Sequence, residues 1–128
     1  MPSRIRMILE NGEITATLDD SQTAAAISAA LPLAGIVNRW GEEIYFTIPV
    51  RVAEAHDARQ EMAVGELGYW PVGAAFCIFF GPTPASHGKE PRAYSNVNPF
   101  GKVDWEQPRV KDLLAGTRDG QRIEIVAA

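Results

Sequence analysis

The run from Gly65 to Pro84, GELGYWPVGAAFCIFFGPTP, constrains this chain more than any other stretch. It holds the densest cluster of aromatic residues, together with the breakers that turn one apolar segment back on the next. Gly65 to Trp70 reads as a strand, Pro71-Val72-Gly73 as a turn, and Ala74 to Phe80 as a second strand ended by Gly81 to Pro84. Side chains alternate along a strand, so Leu67, Tyr69, Phe76, Ile78 and Phe80 share one face, while Trp70, Cys77 and Phe79 share the other. Gly65, Gly68, Gly73 and Gly81 match no phosphate-loop spacing and read as turns and points of close packing.

The flanking sequence supplies more strands. Arg4 to Glu10 and Glu13 to Leu18 alternate around Asn11-Gly12, a pair suited to a type I′ hairpin turn. Asp20 or Ser21 can cap a helix over Thr23 to Leu31, with Ala24, Ile27 and Leu31 as its apolar stripe and Pro32 as its stop. Gly35 to Trp40 and Glu42 to Ile48 read as strands, the second apolar on both faces and therefore covered on both. Val52 to Val64 and Ala85 to Asn98 read as loops. Pro99 to Val103 is a strand, and a short helix follows, with Pro108 in its first position and Gly116 as a left-handed cap. Arg122 to Val126 is the last strand. Seven or eight short strands and two short helices predict a mainly β fold: one small closed β-barrel capped by two helices, a single domain over residues 1–128.

Composition narrows the function. A net charge of −4 argues against a nucleic-acid partner, because phosphate neutralisation needs clustered Lys and Arg. No apolar run is long enough to span a membrane, and the N-terminal segment lacks the apolar core of a signal peptide. The single cysteine, Cys77, has no partner within the chain, which fits a reducing, cytoplasmic setting. Cys77 reads as a small buried hydrophobe rather than a nucleophile, and His56 and His87 have no metal-ligand spacing. No catalytic set, metal site or cofactor is expected.

Two blocks carry a resemblance. One is Phe100-Gly101-Lys102-Val103, the following helix, Gly120 and Arg122-Ile123-Glu124-Ile125; the other is Leu67 to Ile78. Both resemble cyclophilins, and the helix followed by Ile44 to Pro49 stands in cyclophilin order. The wording around GYWP and FCIFFGPTP is similar to that of small prokaryotic cyclophilin-like proteins without an established activity. The resemblance implies a cyclophilin-type barrel.

The usual activity would be peptidyl-prolyl isomerisation. There an Arg donates to the prolyl nitrogen in the twisted state and so weakens an amide resonance worth about 18–20 kcal/mol of barrier. Aligned on Pro49, that Arg position falls on Phe46 or Thr47. Cys77 and Ala75 replace a pocket Phe and Gln, Trp70 replaces a small residue, and Arg51 and Glu54 stand where a pocket Phe and Gln are found. The resemblance therefore implies the fold without its usual catalyst. The expected function is binding of a small molecule or peptide in the groove, lined by Phe46, Arg51, Glu54, Trp70, Cys77 and Tyr94. The alternative is a weak or divergent prolyl isomerase using Arg51 or Arg92.

Overall fold

A computed structural model of the protein describes residues 3–128. Strands dominate: β1 (Arg4–Leu9), β2 (Gly12–Leu18), β3 (Leu33–Ile36), β4 (Asn38–Trp40), β5 (Glu43–Thr47), β6 (Arg59–Glu61), β7 (Glu66–Trp70), β8 (Ala75–Phe79), β9 (Arg92–Val103) and β10 (Arg122–Ala127). The helices are α1 (Gln22–Ala30) and α2 (Val110–Ala115). Strands pair antiparallel in the order β3-β10-β1-β2-β9-β7-β8-β5-β4, with β6 laid beside β9.

The expected closed barrel is not what the ladders form. The sheet is an open path ending in β3 and β4, and among the described residues no ladder joins these two ends. They are consecutive in the chain, separated by Val37, whose N–H and carbonyl bond Gln121 and Gly120 instead. Side-chain packing takes the place of backbone pairing here: a Cβ on Gly35 of β3 would lie 2.7 Å from the Phe46 ring of β5. The end strand β3 thus meets β5, the neighbour of the other end strand, through an aromatic ring resting on a bare backbone.

The alternation read from the sequence sets two cores. Leu67, Tyr69, Phe76, Ile78 and Phe80 join Ile5, Met7, Ile14, Phe100 and Ile125 in the main one, which is capped by Ile27 of α1 and Leu114 of α2. Phe76 packs between Phe46 and Phe100, with ring centroids 5.3 and 5.0 Å away. On the other side of the sheet, Ala75, Cys77 and Phe79 pack with Met62, Ala93 and Val97, and Tyr45 and Trp70 flank them. This second, smaller core carries the pocket described below.

Several local expectations shift. In the first hairpin Leu9 pairs with Gly12, so Glu10-Asn11 forms the turn, and the Asn11 side chain donates to the Leu113 carbonyl at 3.1 Å. Helix α1 is capped by Ser21, whose Oγ accepts from the Ala24 N–H at 3.1 Å. Helix α2 begins at Val110, because Arg109 before it is left-handed at φ 68°, and Gly116 ends it in a right-handed conformation. The segment Val52 to Val64 contains β6, and β9 starts at Arg92 rather than Pro99. Both differences have one cause. Polar Arg59–Glu61 pairs with the polar first half of β9, held by the Gln60 amide donating to the Ala93 and Tyr94 carbonyls at 3.2 Å. Such pairing leaves no apolar period to read. Among the described residues no helix is long and apolar enough to cross a membrane.

Candidate functional site

The pocket forms where β4, β5, β7 and β9 come together over the smaller core. Alternation along β5 sends Ile44 and Phe46 inward and turns Glu43 and Tyr45 toward the pocket. Glu43 is paired with Trp40 on one neighbouring strand and Phe79 on the other. Trp70 ends β7, and its indole N–H donates to Ser95 Oγ at 2.7 Å. The indole also covers Gly73, where a Cβ would come within 2.5 Å of the ring. Tyr94 of β9 stands between the two tryptophans, edge-on to Trp40 at 6.1 Å and to Trp70 at 6.0 Å. Tyr45 meets Trp70 edge to face at 6.4 Å. Ala93 and Val97 complete a cavity of about 150 Å³.

Glu43 is the chemical singularity of this aromatic enclosure. It is only 5% exposed, and its Oε1 has no hydrogen-bond partner among the described residues. Burial pushes its carboxyl up to about 7, because an ionised carboxylate is poorly solvated there. The nearby Cys77 thiol offsets part of that rise. Its one S–H is also within reach of the Ala75 carbonyl, 3.8 Å from the sulfur. Burial raises the Cys77 thiol well above its ordinary range, and the Glu43 carboxylate raises it further. Cys77 is therefore held as a thiol, the unreactive form. Tyr45 is raised by burial, then by Glu43, Cys77 and Asp119.

The sequence-derived candidates separate in space. Trp70 and Tyr94 line the pocket together. Cys77 lies beneath it, fully packed beside Phe79 and Val97. Phe46 points to the opposite face of β5, into the main core. Arg51 belongs to a separate surface groove with Thr47, Pro49 and Val72. Glu54 lies in another groove, beside the start of α1, and accepts from Asn96 Nδ2 at 3.4 Å. Arg92 donates to Gln60 Oε1 at 3.3 Å. Trp40, Glu43 and Tyr45 complete the lining without standing among the sequence-derived candidates. A signal was available: in a strand apolar on both faces, Glu43 is a charge with no exposed face to occupy. Among the described residues no group of three or more His, Cys, Asp or Glu side chains could hold a metal ion.

The fold and this layered arrangement define a class. The sequence matches the Cyclophilin-like family over residues 3–125, and the chain belongs to that family. Among solved structures it is similar to the hypothetical protein AF2241 from Archaeoglobus fulgidus, with 35% identity and a TM-score of 0.81 over 99% of this chain and 95% of that one. It also shares its fold with McbB, solved in complex with tryptophan, at 17% identity and a TM-score of 0.67. That likeness covers 96% of this chain and 44% of McbB. No curated protein matches the chain.

Proposed function

We propose that this protein binds a small molecule in the cavity enclosed by Trp40, Tyr45, Trp70 and Tyr94 above Glu43. The observation that carries this reading is Glu43, a buried carboxyl with one oxygen unpartnered among the described residues, in the lining of an aromatic cavity. A buried polar atom without a partner is unfavourable by about 1–3 kcal/mol, and a ligand that supplies the partner recovers it. Small-ligand sites have this form, a mostly apolar enclosure with few polar groups that fix orientation. The volume, about 150 Å³, suits one compact group better than an extended peptide. A free, buried Cys77 is consistent with a reducing compartment such as the cytoplasm.

Prolyl isomerisation is the less favoured reading. Among the described residues no guanidinium lines this cavity: Arg51 belongs to another groove, and Arg92 donates to Gln60. The test is an NMR screen of the full chain with small neutral, cationic and anionic aromatic compounds. At least one should shift the Trp40, Glu43, Tyr45, Trp70 and Tyr94 resonances together. A screen in which none does so overturns the reading. A proline-peptide isomerisation assay decides the alternative: activity that disappears in Arg51→Ala or Arg92→Ala favours the enzyme.

A further inference from the structure

We infer that the ligand of this cavity is a small organic monocation, whose ammonium group lies against the Glu43 carboxyl between the faces and edges of the surrounding aromatic rings. The inference rests on the binding-site reading above and assigns the ligand's chemistry.

Three observations converge. First, the one ionisable carboxyl at the cavity is buried and keeps an oxygen without a partner. An ionised carboxylate in such surroundings requires an opposing charge. Second, the described residues offer none. No residue lining the cavity is Lys, Arg or His. Arg39, on the neighbouring strand β4, is committed elsewhere, donating to the Ala115 and Thr117 carbonyls at 3.1 and 2.8 Å and lying over Phe80. Third, the walls are Trp40, Tyr45, Trp70 and Tyr94, and the electron-rich faces of such rings attract cations, Trp most strongly. An anion would meet Glu43 unscreened. A neutral acceptor would need Glu43 protonated, which gives the opposite dependence on pH.

Size limits the cation. An apolar cavity of about 150 Å³ takes a benzene-sized guest, so the ligand is a primary ammonium on one ring or a short branched chain. The titratable groups facing Glu43 are Tyr45 on its own strand, Cys77 on β8 and Tyr94 on β9. Tyr45 and Cys77 are both raised from their ordinary values, which leaves Glu43 as the carboxyl that responds near neutrality.

The experiment is NMR titration of the full chain with benzylamine hydrochloride, benzyl alcohol and sodium benzoate, compounds of one shape and three charges. At about pH 8 benzylamine should bind at least tenfold more tightly than the other two. Its affinity should fall by about thirtyfold at about pH 5.5, as Glu43 takes up its proton from a value of about 7. Glu43→Gln, which keeps shape and removes charge, should abolish both the preference and the pH dependence. Tyr94→Leu should weaken benzylamine more than benzyl alcohol, and this exposed position tolerates change in the fold. Equal or tighter binding of benzyl alcohol or benzoate, or benzylamine binding that tightens as pH falls, overturns the ammonium assignment while leaving the pocket a binding site. If none of the three compounds shifts the pocket resonances, the binding-site reading falls and this inference falls with it.

Discussion

The Trp70 indole and the Tyr94 phenol meet edge to face across β7 and β9, with centroids 6.0 Å apart and planes at 79°. Tyr94 makes this contact while 72% exposed, and a second like it with Trp40. Its ring therefore acts as the outer wall of the pocket rather than as part of a core. Edge-to-face pairs contribute about 0.5–1.5 kcal/mol beyond the area they bury. Tyr94→Ala should destabilise the fold by only about 1 kcal/mol, because little core packing goes with it. The expected spectroscopic result is a red shift in tryptophan emission as Trp40 and Trp70 gain water. Unchanged emission would mean that Tyr94 does not cover them.

Glu43 makes stability depend on pH in an unusual direction. Its folded value of about 7 lies above the ordinary 4.5, so the folded state holds a proton that the unfolded chain has already released. Below about pH 4.5 both states are protonated and Glu43 contributes no penalty. Between about 4.5 and 7 the unfolded chain loses its proton first and stability declines; above about 7 the penalty levels off near 3 kcal/mol. Glu43→Gln should remove that decline and leave the variant more stable than the parent at about pH 8. Urea unfolding at a series of pH values measures it, and parallel curves for the two proteins would count against a buried, ionising Glu43.

How much of this could be read beforehand depends on parity. In Gly65 to Pro84 nearly every position is apolar, yet strict alternation still assigned Leu67, Tyr69 and Phe76 to one core and Trp70, Cys77 and Phe79 to the other side. The same parity explains Phe46. A family alignment brings it to the catalytic position, but in β5 it shares the inward face with Ile44, while Glu43 and Tyr45 share the pocket face. Arg51 and Glu54 follow the strand, where alternation no longer says which surface they reach. The first half of β9 was hidden because its partner β6 is as polar as it is. Openness of the sheet was also hidden, since composition cannot distinguish a ladder from a ring packed on Gly35.

The Arg59–Glu66 pair ties β6 to the start of β7, both of them paired with β9, the strand that carries Tyr94. The guanidinium donates to both carboxylate oxygens, at 2.9 and 2.6 Å, and the Ala63 N–H adds a third bond at 2.7 Å. Burial alone would raise the Glu66 carboxyl, but Arg59 and the Ala63 N–H outweigh it and hold it below its ordinary value. Arg59 is 43% exposed, so Arg59→Ala should cost about 1–2 kcal/mol rather than the larger loss of a fully buried pair. A carboxylate with a depressed value contributes stability above its unfolded value and loses it as pH falls through the folded one. The gap between Arg59→Ala and the parent in denaturant unfolding should therefore be widest near neutrality and narrow as pH falls below the ordinary carboxylate value of 4.5. A gap independent of pH would show that the loss comes from packing of the Arg59 stem.

Gly73 supports the pocket from outside it. A methyl group there would stand 2.5 Å from two atoms of the Trp70 ring, closer than real contacts allow. The backbone at Gly73 needs no special conformation, so Gly73→Ala acts through this clash alone. The indole must swing away, which strains or breaks its 2.7 Å bond to Ser95 and moves it off Tyr45 and Tyr94. Overpacking of this kind costs about 1–3 kcal/mol when the neighbours cannot give, and less where a side chain can swing outward. The expected result is a folded protein with modest loss of thermal stability and a large change at the cavity. The Trp70 indole N–H resonance should move, and benzylamine should bind several-fold more weakly than to the parent. If thermal stability falls sharply while the indole resonance stays in place, Trp70 is anchored more firmly than Gly73, and the turn itself has yielded.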